Sequence, residues 1–200
     1  MTPRPLPDLI ADSRVFAARE AIIATLARLL PDVRITPHPG KLDLSDIVEG
    51  EVYTAPSIAV AAARIHADLG TPAGQMATPV DWAAYVVAED RALGAPAQVY
   101  TRDEIALALC QALTQLLHDP AARECRWGVA DISCPETIDA RPLFTAKSWK
   151  SGQVFWVVTG RQTIYSDAPL WDMDGVVDAL QPPPPLLLPG DAGYPTGGAP

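Results

Sequence analysis

Three histidines, three cysteines and two groups of carboxylates are the residues of this chain whose types could do chemistry. A metal or general-base site needs such side chains at helical i, i+3 or i, i+4 spacing, or in a motif that returns them to one point. His38, His66 and His118 show neither arrangement. His38 falls in a His-Pro-Gly turn, and His118 at the end of an expected helix, where a cation meets the helix dipole favourably. Cys110, Cys125 and Cys134 match no CxxC or zinc-ribbon pattern, and free cysteines are commonly small buried hydrophobes. Their odd number argues against a secreted disulfide scaffold. Asp43, Asp46, Glu49 and Glu51 could gather around a hard cation, as could Asp172, Asp174 and Asp178. Neither run has the EF-hand pattern, however, and acidic loops are usually solvated. Gly-x-Ser-x-Gly, P-loop and Gly-x-Gly-x-x-Gly motifs are absent from the sequence. The expectation is a protein with no catalytic residue, no metal and no cofactor.

Composition narrows the partners. The chain has 200 residues, enough for one domain and a tail, and is 48% hydrophobic, enough for a core. Its formal net charge is −9, from 15 basic and 24 acidic residues. That disfavours a general phosphate-backbone binder, which needs clustered Lys and Arg. The N-terminus has no continuous apolar signal core, and no run of about 18 apolar residues could span a membrane. Synthesis inside the cell, with no membrane partner, is expected.

The elements that would position any site follow a simple order. Residues 1–12, with three prolines, read as a flexible arm. Asp12 or Ser13 can cap a helix over 13–30, whose Val15, Ile22, Leu26 and Leu29, with Phe16, Ile23 and Leu30, make a wide apolar stripe. Pro31 stops it. Short apolar strands are expected at 33–36, 57–63 and 82–88, separated by irregular connections over 37–54 and 64–80. Thr101 and Glu104 form a capping box for a second helix over 101–118, with Ile105, Leu109, Leu113, Leu116 and Leu117 on one face. A final antiparallel pair is expected at 127–134 and 154–163. This order, α-β-β-β-α-β-β, describes an α+β fold: a mixed, mainly antiparallel sheet with two main helices packed on one face. The domain is expected over 13–167. Residues 168–200 are a Pro-rich extension, mostly disordered, with four consecutive prolines that favour polyproline II and could serve a partner as a ligand.

Surface contact, rather than catalysis, is where composition points. The 135–152 connection is too long for a tight turn and carries Leu143, Phe144, Lys147, Trp149 and Lys150. Three readings stay open for it: stacking on single-stranded nucleic acid, closure of the core by an aromatic, and a protein interface. These five residues, with His38, Pro39 and Gly40 at the first turn, are the candidate protein interface.

Several phrases together resemble one family. They are residues 21–34 (AIIATLARLLPDVR), the His38, Pro39, Gly40 turn, residues 55–60 (APSIAV), residues 82–88 (WAAYVVA), the capped helix over 101–117, and Trp156-Val157-Val158. The chain resembles the tail-protein family typified by the tail terminator of the transposable phage Mu, common in prophages, over about residues 14–165. Its shared motifs are hydrophobic and structural, and no catalytic residue comes with them. The resemblance implies a virion structural protein, not an enzyme, that forms a homo-oligomeric ring, typically hexameric. The ring would cap the head-proximal end of the tail tube and join the tail to the head–tail connector proteins. The implied partners are further copies of the chain, the tail tube protein, the connector proteins and, as an additional candidate, the tail sheath protein. DNA would pass through the lumen without specific binding, and an acidic lumen would repel rather than trap it. The implied location is the virion tail or neck, after assembly in the host bacterial cytoplasm. Alternatives are another head–tail joining protein of similar fold, such as a neck or head-closure protein, a small hydrolase or ligand-binding domain, and a nucleic-acid-binding accessory protein.

Overall fold

The computed structural model describes residues 3–40, 54–67, 69–71, 75–118, 123–143, 152–167 and 170. The chain divides into two compact units, residues 1–11 with 169–200, and residues 12–168. In the first, helix α1 (Leu6–Ala11) stands where the sequence reading places a flexible arm. Its prolines explain the difference: Pro5 and Pro7 lie just before and inside the first turn, where a missing N–H costs nothing.

In the second unit, helix α2 (Arg14–Leu29) starts at Ser13, whose hydroxyl accepts from the Phe16 N–H at 3.3 Å. It ends where the Leu30 N–H returns to the Leu26 carbonyl, just ahead of Pro31. Strands β1 (Arg34–Pro37) and β2 (Ser57–Ile65) pair in parallel, Arg34 opposite Ser57. β2 then pairs antiparallel with β4 (Met76–Glu89), whose start also carries the short β3 (Leu69–Gly70). β4 and β8 (Gln153–Ser166) are each 14 residues long and pair along their whole length, from Met76 opposite Ser166 to Glu89 opposite Gln153. β7 (Glu136–Pro142) closes the sheet, giving the order β1-β2-β4-β8-β7. A two-stranded ribbon, β5 (Arg91–Leu93) and β6 (Gln98–Tyr100), precedes helix α3 (Arg102–His118). The capping box forms as expected: the Thr101 N–H donates to Glu104 Oε2 at 2.8 Å and the Glu104 N–H to Thr101 Oγ1 at 3.3 Å. Asp90 adds an acceptor for the Arg102 N–H at 2.7 Å.

Alternation along the strands sorts the sheet into two faces. Ile58 and Val60 of β2, Val80, Trp82 and Val86 of β4, and Val158 and Ile164 of β8 lie on one face. They share a buried core with Ala18, Ile22 and Leu26 of α2 and Leu109, Cys110 and Leu113 of α3. α2 lies over β1 and β2, and α3 over β4, β8 and β7. The opposite face is also buried at its centre, through Ala59, Ala61, Ala83, Tyr85 and Val157, with Val87 and Phe155 beside them. The architecture is α+β, a mixed sheet with helices packed against it.

Two strand expectations move. Residues 127–134 do not form a strand. Arg123–Arg126 is a 3₁₀ turn, and Trp127 (φ 58°), Gly128 (φ 69°) and Asp131 (φ 57°) are left-handed, so only Ile132 makes a bridge, to Ile164. The penultimate strand is β7 instead, inside the expected long connection. It is an exposed edge strand with Glu136, Asp139, Arg141 and Pro142, so it lacks the apolar run that marks its neighbours. β4 also begins six residues earlier than expected, because it tolerates Pro79. The Pro79 carbonyl accepts from the His66 N–H on the β2 side. In an antiparallel strand the N and C=O of one residue point the same way, so the missing N–H lies past the end of β2 and leaves the β8 ladder intact.

Candidate functional site

The sheet register brings charge together where no sequence spacing announced it. On the face away from the helices, Arg64 of β2 stands opposite Asp81 of β4, Asp81 opposite Arg161 of β8, and Arg161 opposite Glu136 of β7. One row across four strands thus alternates in sign, the favourable arrangement for cross-strand neighbours. At its centre Arg161 Nε donates to Asp81 Oδ1 at 2.7 Å, and Nη2 reaches Oδ2 at 3.4 Å. His66, just past the end of β2, places Nε2 2.8 Å from Asp81 Oδ2 and 3.3 Å from Arg161 Nη2. A guanidinium can only donate, so the shorter contact identifies His66 Nε2–H as a second donor to the carboxylate. The hydrogen bonds from Arg161 hold the Asp81 carboxyl below the usual carboxylate range. Burial opposes them, and His66 adds to the lowering.

This arrangement fastens neighbouring strands. Both Asp81 oxygens accept from Arg161 or His66, so side chains from β8 and the end of β2 fix the carboxylate's position. The cluster ties the end of β2 to interior positions of β4 and β8, with side chains between a quarter and two-fifths exposed (His66 24%, Asp81 29%, Arg161 41%). A sequence signal existed only in retrospect: Asp81 interrupts a largely apolar strand, while Arg161 sits in the polar stretch Thr159–Thr163 of β8. Among the described residues no group of His, Cys, Asp and Glu could hold a metal.

The candidate interface residues divide. His38 is turned inward, 8% exposed, its ring 5.3 Å from that of Tyr85, with Nδ1 2.7 Å from the Gly40 carbonyl oxygen. It carries the packing of β1's end rather than an outward contact. Pro39 is exposed and Gly40 half-buried. Leu143 is half-buried against the clusters that hold Tyr85 and Phe155, and its N–H donates to the Phe155 carbonyl at 2.8 Å. The fold therefore brings His38 and Leu143, far apart in sequence, to one apolar patch of the helix-free face. Phe144, Lys147, Trp149 and Lys150 lie outside the described residues, as do Asp43, Asp46, Glu49, Glu51 and the Pro-rich extension beyond 170.

The remaining reactive types are placed quietly. Cys110 is buried in the α3 face, and burial pushes its thiol up to about 11. Cys125 is buried too, while Cys134 is half-buried beside the Arg126 guanidinium at 3.6 Å. His118 ends α3, exposed. Large apolar side chains stand exposed along the ribbon and α3, with Leu93 36%, Val99 71% and Leu107 52% accessible. No helix among the described residues is long and apolar enough to cross a membrane. No protein-family model and no curated protein matches the chain.

Proposed function

We propose that the chain is a structural protein of a tailed-phage virion, a tail terminator. Copies would meet head-to-tail in a closed ring, six to a ring, that caps the head-proximal end of the tail tube and docks the head–tail connector. The observation that carries this reading is the layering. The phrases that resemble the Mu-type family fall on the elements that build it: the latter half of α2 up to Arg34 of β1, the start of β2, the second half of β4, nearly all of α3, and the first half of β8. Exposed Leu93, Val99 and Leu107, together with Pro39, offer apolar surface of the kind subunit contacts use. A ring needs two unlike faces related by a rotation that closes, and a rigid sheet bearing a ribbon and long connections has the variety of surface for that.

The test is mass measurement and negative-stain microscopy of the purified protein, alone and mixed with tail tubes. Six-fold rings, or caps at one tube end, bear the reading out. A protein that ignores tubes but binds the portal complex makes it a neck component instead. One that does neither sinks both.

A further inference from the structure

Strands β1 and β2 are parallel neighbours, so the chain that joins them must travel back along the sheet. β1 ends at Pro37, opposite Val60, and the described chain resumes at Thr54, ahead of Ser57. That return is about 20 Å, at about 3.3 Å per strand residue. Residues 41–53 make it, and their extended reach of about 40 Å leaves slack to cover surface on the way.

The sheet has two sides for this return, and α2 already lies over β1 and β2 on one of them. Handedness points to the other. β4 and β7 are both antiparallel to β8, hence parallel to each other, and α3 joins them across the helix side. Connections between parallel strands of one sheet are right-handed in nearly all cases. Seen from the helix side with β4 pointing up, β7 therefore lies to the right of β4, and β2 and β1 to the left. β1 and β2 run opposite to β4. Turned so that β1 points up, the same view has β2 on the left of β1. A right-handed connection from β1 to β2 must then pass behind the sheet, over the face without helices.

That face is buried although neither α2 nor α3 packs there: Ala61 is 0% and Ala83 2% exposed at its centre, beside Ala59 and Tyr85. We infer that residues 41–53 cross the helix-free face and are the segment docked on Ala59, Ala61, Ala83 and Tyr85. Their sequence suits the surface. Leu44, Ile47 and Val48 recur at i, i+3, i+4 spacing, and Ser45, Asp46 and Glu49 fall on the opposite side of the same helical wheel. The alanines beneath are short enough for a close approach. His38, buried against Tyr85, lies where the chain leaves β1 for this face. The segment's acidic residues thus serve solvent rather than a cation. The assignment holds whether or not copies of the chain form a ring. In a ring, subunit contacts would use surface other than the centre of this face.

Two measurements on the full chain test this. The first is methyl-to-methyl nuclear Overhauser spectroscopy on protein labelled at alanine, isoleucine, leucine and valine. A sample that mixes labelled and unlabelled copies separates contacts within a chain from contacts between chains. The expected result is intrachain cross-peaks from Leu44, Ile47 or Val48 to Ala61 and Ala83. Cross-peaks from those three residues to Ala18, Ile22 or Leu26 would put the connection on the helix side and overturn the inference. Contacts to Ala61 and Ala83 that come instead from residues beyond Leu143, or from a second copy, give the face another occupant and overturn it too. The second measurement is urea unfolding of Ile47→Asp beside Asp46→Ala. Ile47→Asp should lower the midpoint and Asp46→Ala should leave it in place. A midpoint that Ile47→Asp does not move, or that both move equally, counts against the docked segment.

Discussion

Asp81 and Arg161 face each other directly across β4 and β8, and the Arg161 Nε–H donates to Asp81 Oδ1 at 2.7 Å. The pair is the middle of a row that runs Arg64, Asp81, Arg161, Glu136 across the sheet. It carries a definite pH dependence. The folded-state carboxyl of Asp81 titrates below its unfolded value, so the unfolded chain binds the proton first as pH falls. The pair's contribution is therefore fully present above the ordinary aspartate value of about 3.9 and is lost as pH drops through the folded value. Urea unfolding at pH 7 and at pH 3 should show Asp81→Asn costing on the order of 1 kcal/mol at the higher pH, the scale of a partly exposed pair, and less at the lower. An equal cost at both would mean that packing, not charge, is what Asp81 contributes between the two strands.

Gln162 supports a heavier prediction. Its amide satisfies the Trp127 indole and two backbone carbonyls at once. Gln162→Leu keeps the volume roughly but strands all three, and buried polar groups without partners are costly. The expected loss is about 3 kcal/mol, read as a lower urea midpoint at unchanged slope. A loss below about 1 kcal/mol would show that the 123–135 segment re-solvates those groups by moving away.

Legibility followed locality. Helices α2 and α3 could be read because their signals are local: the Ser13 cap, the Thr101 and Glu104 box, Pro31, and apolar stripes at helical spacing. The cores of β2, β4 and β8 could be read because strands buried on both faces are continuously apolar. What failed was ambiguous chemistry or distance. Trp127 and Val129 alternate like a strand, yet Trp127 reaches the core from a left-handed turn anchored on Gln162. β7 is polar because an edge must be, and it has the composition of a loop. Pro79 looks like a breaker until its position past the end of β2 is known. The cluster of His66, Asp81 and Arg161 was out of reach for the same reason. Nothing but strand register brings residues 81 and 161 together.

The helix starts allow a simpler check. Ser13 Oγ is the acceptor for the Phe16 N–H at 3.3 Å, so Ser13→Ala leaves that donor to solvent. A loss of about 1 kcal/mol is expected, and Ser13→Asp should hold stability or raise it, since a carboxylate also meets the helix dipole. Thermal melts of the three proteins decide. If Ser13→Ala melts with the parent, water caps the helix as well as the hydroxyl does.

The connection that follows Leu143 decides between packing and assembly. Leu143 itself docks on the patch around Tyr85, Val157 and Phe155, so Leu143→Ala should destabilise the monomer by about 1–2 kcal/mol, less than a fully buried leucine would. Trp149 and Lys147 lie in the residues beyond it, and two of their three readings, core closure and protein interface, diverge cleanly. If Trp149 closes the core, Trp149→Ala lowers the melting temperature of the monomer by several degrees and Lys147→Glu changes nothing. If the segment meets a neighbouring subunit, both substitutions leave the melt of the monomer where it was. They then remove the ring, or the cap on the tube, seen by mass measurement and microscopy. A charge reversal that leaves assembly intact while Trp149→Ala unfolds the monomer would take the segment out of the proposed interface, and the contact would then have to lie on other exposed surface. Leu93, Val99 and Leu107 are the next substitutions to make.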